Sequence, residues 1–179
     1  MTMEEIMDYV DENDNILGQD TKENIKEKNL NYRVVHIWVL GKEGKLMVCR
    51  RPNNKKAYAG LWTSSAGGHV QTGESYEVAA KRELKEELAL EGELKHLFKI
   101  RYKHPRGNYV FTDLWLMQKP SLIEEKKFDK TEIFEVVLYN FIELQEMIKK
   151  QPSIFQPQLI KLVHRWGELY GAQTPNNYR

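Results

Sequence analysis

The chain has 179 residues, which is enough for one domain with a sizeable core. Its 27 basic and 26 acidic residues nearly cancel, so the overall charge predicts neither a nucleic-acid partner nor an anionic membrane surface. The single cysteine, Cys49, excludes an intrachain disulfide and a cysteine-rich zinc site, and no apolar stretch approaches the roughly 20 residues of a membrane span. The acidic N-terminus lacks the basic-then-apolar order of a signal peptide, so we expect a cytoplasmic protein.

The first third of the chain predicts a hairpin followed by two longer strands. Residues 9–21, YVDENDNILGQDT, are typical of two short strands around an Asp/Asn turn, and the polar residues 23–32 predict a loop or a short helix. A glycine-bearing turn separates the apolar runs 33–40 and 45–51, which predict strands. The second run contains Cys49, which we expect to be a small buried core residue.

The later segments predict a helix, then strands, then two more helices. Residues 61–70 begin like a strand and end in a glycine pair, and helical spacing from Glu74 to about Leu90 offers four side chains to a core. These four are Val78, Ala79, Leu84 and Leu88. The remaining predicted elements are strands over 94–104, 108–117 and 133–142, helices over 143–150 and 157–170, and a frayed tail over 172–179. The fold class is therefore α/β.

Three glutamates, Glu83, Glu86 and Glu87, crowd one and a half turns of the first of these helices. Like charges at i,i+3 and i,i+4 destabilise an isolated helix, so this crowding needs an explanation. Periodicity leaves three explanations open: a solvated face, a surface paired with neighbouring cations, or a divalent-cation site built from hard carboxylate oxygens. The neighbouring cations are Lys81, Arg82 and Lys85.

The residues that precede these glutamates favour the cation site. From Gly68 the chain reads GHVQTGESYEVAAKRELKEELAL, which resembles the Nudix box: Gly, five residues, Glu, seven residues, then Arg-Glu-aliphatic-x-Glu-Glu-x-Gly-aliphatic. The matching positions are Gly68, Glu74, Arg82, Glu83, Leu84, Glu86, Glu87 and Leu90. Only Ala89 departs from the pattern, which has glycine there. So many spaced matches would rarely arise by chance.

The resemblance implies a Nudix α/β/α sandwich with a mixed β-sheet and a short N-terminal β-hairpin, forming a single domain over residues 1–179. Residues 1–30 would form the N-terminal hairpin and extension, and residues 68–90 the loop and helix of the box. The family cleaves diphosphate-containing substrates by attack of water on phosphorus. The resemblance therefore implies Mg²⁺ or Mn²⁺ as the cofactor and a small-molecule diphosphate as the substrate.

The same resemblance implies roles for the box residues. The predicted metal ligands are Gly68, Glu83, Glu86 and Glu87. Gly68 would bind through its backbone, because a glycine can approach a metal with no Cβ in the way. The predicted catalytic residues are Arg82, Glu86 and Glu87. Arg82 fixes the loop and helix together with Glu74, and either Glu86 or Glu87 takes the proton from water. Outside the box, Glu132 and Glu135 are candidate bases.

Longer segments resemble type I isopentenyl-diphosphate isomerase and the hydrolases grouped with it. These segments are VDENDNILGQDTKEN, LNYRVVHIWVL, LMVCRRPNNKKAYAGLWTSSAGGH and FQPQLIKLV. By that alignment Arg51 and Lys55 match the basic pair that grips the substrate diphosphate, although RRPNNKK is also typical of a solvated basic turn. His69 either contacts the substrate or metal, or only hydrogen-bonds within its loop.

The isomerase chemistry needs groups that this chain lacks. The isomerases have a cysteine before the Gly-His of the segment that matches SSAGGH, where this chain has Ser64 and Ser65 followed by Ala66 and Gly67. They also have a glutamate pair where Val110 and Thr112 align, and metal-binding histidines near the N-terminus. Protonating a carbon–carbon double bond requires a well-placed acid. We therefore predict a hydrolase, with an isomerase or a non-catalytic nucleotide-binding module as the alternatives. Because proteins similar to this one often form homodimers, a homodimer is also possible.

Aromatic and basic side chains outside these motifs are further candidates for substrate contact. The candidates for stacking on a base are Trp38, Trp62, Trp115, Tyr58 and Phe111, although aromatic residues in strands more often belong to the core. The candidates for a phosphate contact are Arg101, His104 and Arg106, which flank a predicted turn.

The departure at Ala89 leads to an expectation about where the box helix ends. Helices often end at a glycine in the left-handed conformation, which costs an alanine roughly 1 kcal/mol. Either Ala89 adopts a positive φ at that cost, or the helix continues and Gly92 ends it. We expect the second arrangement.

Overall fold

The computed structural model describes residues 4–118, 128–171 and 175. The strands are β1 Ile6–Val10, β2 Ile16–Thr21, β3 Asn31–Leu40, β4 Leu46–Arg50, β5 Trp62–Thr63, β6 Ala66–His69, β7 Lys95–Lys103, β8 Tyr109–Gln118 and β9 Glu135–Tyr139. The helices are α1 Lys22–Glu27, α2 Tyr76–Leu88, α3 Phe141–Lys150 and α4 Pro157–Tyr170. The predicted frayed tail over 172–179 lies outside the described residues except at Pro175.

The sheet is mixed and is organised around β3. This strand runs parallel to β8, with Tyr32 opposite Val110, and antiparallel to β6, with Val34 opposite His69. It also pairs with β1 and β4. β7 pairs with β8 on the side away from β3, and β4 pairs with β5 and β9. Because β3 is covered on both faces, it is apolar almost without interruption, as strands buried on both sides are.

Helices cover both faces of this sheet, which confirms the predicted α/β/α sandwich. Val35 and Ile37 of β3 point to the face that is covered by α2, whereas Trp38 points to the opposite face, where α3 and α4 pack. Successive side chains of a strand alternate between faces, so a single apolar strand supplies two cores. Cys49 belongs to the α2-side core, as expected, and its thiol donates to the Ser65 carbonyl at 3.1 Å.

The N-terminal hairpin, also confirmed, is held against the sheet by the carboxylate of Asp14 in its turn. Arg33 Nε and Lys99 Nζ each donate to this carboxylate at 2.6 Å, and the Tyr76 hydroxyl donates at 2.9 Å. Burial opposes ionisation of Asp14, but hydrogen bonds from these partners outweigh it and lower the Asp14 pKa. The polar segment that follows the hairpin forms the short helix α1 rather than a loop.

The helix α2 differs from its sequence prediction in two places. Its buried stripe passes through Ala79, Leu84 and Leu88, whereas Val78 is 53% exposed because the 100° turn per residue places it beside that stripe. The helix ends at Leu88 and Ala89 takes φ 52°, so the expectation that it continues to Gly92 was wrong. A left-handed residue at this point turns the chain sharply, and Leu90 returns to the core with 9% exposure.

Candidate active site

A cleft of about 1050 Å³ opens between α1, α2, the loop after β4 and the start of α4. Its walls carry charges of both signs. The acidic side chains from α2 are Glu83, Glu86 and Glu87. The cationic side chains include Arg51, Lys55 and Lys56 from the loop after β4, Arg82 from α2, and Lys22 and Lys26 from α1. This cleft brings together the residues that the sequence places in the box and in the RRPNNKK segment.

The glycines of β6 allow α2 to approach the sheet closely. A Cβ built on Gly68 would lie 2.1 Å from Glu83 Oε1, so the Glu83 carboxylate occupies the space that any other side chain at position 68 would need. The Gly67 N–H donates to Glu87 Oε2 at 3.3 Å. The glycine pair therefore presents its backbone directly to two carboxylates of the helix.

Arg82 connects the glycine loop to the helix through several hydrogen bonds. Its guanidinium contacts both carboxylate oxygens of Glu74, at 2.7 and 2.9 Å, and donates to the His69 carbonyl at 2.9 Å. It also donates to Glu83 Oε1 at 2.7 Å and to Glu86 Oε2 at 3.1 Å. These contacts hold the loop at a set distance from α2 and supply positive charge to two of the three clustered carboxylates.

Burial makes two of these carboxylates hard to ionise. Glu83 and Glu87 are each only 9% exposed. Burial raises the pKa of Glu83 to about 7 although Arg82 opposes this. Burial and the neighbouring Glu83 raise the pKa of Glu87 well above its ordinary value. The cluster therefore holds more carboxylates than its nearby positive charge can keep ionised.

A divalent cation fits this cluster chemically, because it would supply the missing positive charge to hard oxygen donors beside an open glycine backbone. Among residues 4–118 and 128–171, however, no three His, Cys, Asp or Glu side chains already have the mutual positions of a metal site. Arg82 engages Glu83 and Glu86 in their present positions, and Glu86 is the exposed member of the set.

The basic pair predicted for phosphate binding also lies in the cleft, and a carboxylate bridges it. Glu132 accepts from Lys55 Nζ at 2.5 Å, and its second oxygen lies 3.6 Å from Arg51 Nη1. Glu132 is thus the candidate base outside the box that reaches the cleft. Glu135 lies on β9, where it pairs with Arg50 at 3.3 Å and does not line the cleft.

His69 lines the cleft beside a residue that sequence reasoning missed. Its Nδ1 lies 3.2 Å from Glu5 Oε1, and its ring centroid lies 5.7 Å from that of Tyr32. Burial lowers the pKa of His69 in spite of the Glu5 carboxylate, which favours the neutral form of the ring. No motif in the sequence pointed to Glu5, because it reaches the cleft only through the pairing of β1 with β3.

The remaining candidates divide between the cleft and the core. Tyr58, His104 and Arg106 line the cleft. Trp38, Trp115 and Phe111 are buried, which agrees with the expectation that aromatic residues in strands pack in the core. Trp62 lies outside the cleft lining, and Arg101 donates to the Glu12 carbonyl at 2.6 Å away from it.

The positions where an isomerase would carry its acids hold structural side chains. Ser65 is fully buried and its hydroxyl donates to the Met47 carbonyl at 2.7 Å, while Ser64 lies 2.9 Å from Nδ1 of His36. Val110 and Thr112 are both fully buried within the sheet. None of these groups is an acid able to protonate an alkene.

The NUDIX domain model matches residues 30–163 of the chain. An uncharacterized Nudix hydrolase of Nostoc sp. is 34% identical over 161 residues, which cover 89% of this chain and 94% of that protein. An isopentenyl-diphosphate Delta-isomerase of Photorhabdus laumondii is 28% identical over 90% of this chain and 92% of its own length.

Solved structures agree with these relatives. A crystal structure of a Deinococcus radiodurans protein superposes with a TM-score of 0.75 at 25% identity, over 90% of this chain and 98% of that one. A MutT protein of Methanosarcina mazei shares the fold, with a TM-score of 0.64 at 16% identity over 78% of this chain and 94% of that one. In the part of the chain that the structure describes, no helix is long and apolar enough to cross a membrane. The chain belongs to the Nudix family and is a Nudix pyrophosphohydrolase, in a group whose members act on small diphosphates with divalent cations.

Proposed function

We propose that this protein hydrolyses a nucleoside diphosphate linked to another moiety, or a related diphosphate, by attack of water on phosphorus with Mg²⁺ or Mn²⁺. The observation that carries the proposal is the buried pair Glu83 and Glu87, packed against Gly67 and Gly68 with too little positive charge nearby. A cluster of this kind is costly to maintain unless a cation binds to it.

Glu83, Glu86, Glu87 and the backbone of Gly68 would hold the cation. When bound, the cation neutralises charge on the phosphate oxygens and orients the attacking water. Arg82 keeps the glycine loop and α2 at the correct distance through its contacts with Glu74 and the His69 carbonyl. It thereby positions the carboxylates before substrate arrives.

Arg51 and Lys55 would bind the oxygens of the substrate diphosphate. At present they bind the carboxylate of Glu132, which is itself an anionic oxygen ligand, so their geometry already suits an anion. A substrate diphosphate would compete with Glu132 for this pair. Glu86 or Glu87 then accepts the proton from water. Glu132, once the substrate displaces it from Arg51 and Lys55, is a further candidate for this base.

Hydrolysis is favoured over isomerisation because the cleft contains carboxylates for a cation but has no acid in the isomerase positions. Val110 has no ionisable group, and the buried Thr112 hydroxyl is far too weak an acid to protonate a carbon. Ser64 and Ser65 are engaged by protein groups. Incubation with isopentenyl diphosphate separates the two activities, since an isomerase converts it without releasing phosphate.

A metal-supplemented screen tests the proposed reaction. The substrates are nucleotides, nucleotide sugars, dinucleotides, coenzyme A species and prenyl diphosphates, each with Mg²⁺ or Mn²⁺. Phosphate is measured after addition of a phosphatase that acts on phosphomonoester products only. Release that requires the cation supports hydrolysis, whereas measurable ligand affinity without turnover across the panel would favour a binding module.

The variant Glu87→Gln tests the assignment of the cation ligands. We expect it to abolish hydrolysis while leaving the fold intact, because glutamine keeps the size of the side chain but removes the charge that a cation needs. Glu77→Gln is the matched control, since Glu77 lies on the exposed part of the same helix and pairs with Lys81. Wild-type turnover by Glu87→Gln would show that the assignment is wrong.

A further inference from the structure

One wall of the cleft carries basic side chains that the proposed reaction does not use. Lys26 comes from α1, and His104 and Arg106 come from the turn between β7 and β8. All three line the cleft, and we call them the basic wall. Arg106 is exposed, whereas Lys26 and His104 are half-buried. A ligand in the cleft can therefore reach each of them.

Hydrogen bonds hold the two segments of the basic wall together. Arg106 Nη1 donates to the Lys26 carbonyl at 3.5 Å, and the Arg106 N–H donates to His104 Nδ1 at 3.3 Å. The side chain of Asn108, which is buried, donates from Nδ2 to the Leu30 carbonyl at 3.1 Å. The turn is thus fastened to the end of α1 and to the segment after it, so Lys26 and Arg106 are neighbours before any ligand binds.

The two permanent charges of the basic wall have no carboxylate partner. Among the residues that the structure describes, neither Lys26 nor Arg106 forms an ion pair with a carboxylate. Glu5 is bound by Lys22 at 2.6 Å, and Glu23 is exposed. Burial, followed by the charges of Lys22 and Arg106, lowers the pKa of Lys26 although Glu5 and Glu23 oppose this. An anion bound between Lys26 and Arg106 would relieve this repulsion.

The basic wall is separate from the pair proposed to bind the diphosphate. Arg51 and Lys55 follow β4, whereas the turn with Arg106 precedes β8, and these two strands pair with opposite sides of β3. The cleft between them has a volume of about 1050 Å³, at the upper end of the roughly 300–1,000 Å³ of small-molecule sites. A diphosphate on Arg51 and Lys55 would therefore leave the basic wall free for another part of the same ligand.

We propose that the basic wall is a second anion subsite, which binds a phosphomonoester that the substrate carries apart from its diphosphate. Lys26 would act as a point charge, and the planar guanidinium of Arg106 would donate to the phosphate oxygens. A phosphomonoester carries a charge of about −1.5 to −2 at pH 7, which matches two cations better than a carboxylate does. This inference rests on the proposed hydrolysis of a diphosphate and adds that the substrate has a second, separate phosphate.

Pairs of substrates that differ in one phosphomonoester test this proposal. The pairs are coenzyme A with dephospho-coenzyme A, and 2′-phospho-ADP-ribose with ADP-ribose, each with Mg²⁺ or Mn²⁺. Products are separated by ion-exchange chromatography, because a phosphatase would also act on the phosphorylated substrates. In at least one pair we expect the wild-type kcat/KM to be at least about tenfold higher for the phosphorylated member. Equal kcat/KM values within both pairs would overturn the proposal.

The variants Lys26→Met and Arg106→Met test the basic wall itself, since each removes one charge and keeps an unbranched side chain. We expect each to lower the preference for the phosphorylated member by about tenfold. Arg106 is exposed, so Arg106→Met tests the proposal even if Lys26→Met does not fold.

The matched control is Lys28→Met, which removes the same charge near the same end of α1 from a lysine that does not line the cleft. It should leave the preference unchanged. An equal loss for both members of a pair in Lys26→Met or Arg106→Met would show that the basic wall binds the diphosphate itself, and would overturn the proposal. So would an equally large loss of preference in Lys28→Met.

Calorimetric binding separates this proposal from the proposed hydrolysis. Both pairs are titrated into Glu87→Gln and into Glu87→Gln/Arg106→Met, so that affinity is measured without turnover. At least about tenfold tighter binding of one phosphorylated member to Glu87→Gln, lost in the double variant, supports the second anion subsite even if no probe is hydrolysed. Equal affinities within both pairs, or no binding by either protein, would contradict it. Absence of hydrolysis by the wild type across the wider panel would contradict hydrolysis alone.

Discussion

Replacing Ala89 by glycine should stabilise the protein. Glycine is less favourable than alanine inside a helix, but Ala89 lies at the end of α2, where the backbone is left-handed. Ala89 has φ 52° and ψ 35°, a conformation that costs a residue with a Cβ roughly 1–2 kcal/mol. Ala89 is exposed, so removing its methyl group loses little buried area. Glycine makes the unfolded chain more flexible, which offsets about 0.4–1 kcal/mol of the gain. The expected net increase in the free energy of unfolding is about 0.5–1 kcal/mol.

Urea unfolding measures this difference, and thermal unfolding should show a rise in Tm of about 1–4 °C for a chain of this size. Ala89→Val is the matched control and should destabilise, because a β-branched side chain tolerates the left-handed region poorly. Phosphate release should not change, since Glu83, Glu86 and Glu87 lie on the helix before this turn. If Ala89→Gly instead lowered stability by about 0.5–1 kcal/mol, as glycine does inside a helix, Ala89 would be helical in solution and the reasoning refuted.

Two other perturbations examine the site and its surroundings. Gly68→Ala would place a Cβ 2.1 Å from Glu83 Oε1, so we expect Glu83 to be displaced and phosphate release to fall sharply. The control Gly41→Ala, whose Cβ would have ordinary contacts at 3.5 Å, should leave phosphate release unchanged. Full activity of Gly68→Ala would contradict the close approach of Glu83 to Gly68. Burial, and to a smaller extent His69, lowers the pKa of His36 to about 4, below its unfolded value of roughly 6.5. Between these two values the unfolded state binds more protons, so stability should fall by up to about 3 kcal/mol as the pH drops from 6.5 to 4, with no further loss from this residue below that. His36→Asn should lack this part of the pH dependence in urea unfolding, and an identical slope in both proteins would show that His36 is not buried as a neutral ring.

Much of the box geometry followed from the sequence because its interactions are local. The contacts of Arg82 with Glu74, Glu83 and Glu86 all lie within one loop and one helix, where spacing along the chain determines spacing in space. Strand and helix positions were predictable for the same reason, since apolar periodicity reflects which side of an element is buried. At Val78 and Ala89 this reasoning failed, because the width of the buried stripe and the return of Leu90 to the core depend on what packs against α2.

The long-range parts of the cleft depended on tertiary structure. Lys55 and Glu132 are 77 positions apart and meet at 2.5 Å only because β4 pairs with β9, next to the loops that carry them. Gln158 and Tyr102 are 56 positions apart, and Glu5 and His69 are 64 positions apart. The sequence by itself determined the family, the fold class and the carboxylate-bearing helix, because these depend on spacing within one segment. Only the tertiary structure decided which distant polar groups face those carboxylates, because packing of the sheet and helices brings them together.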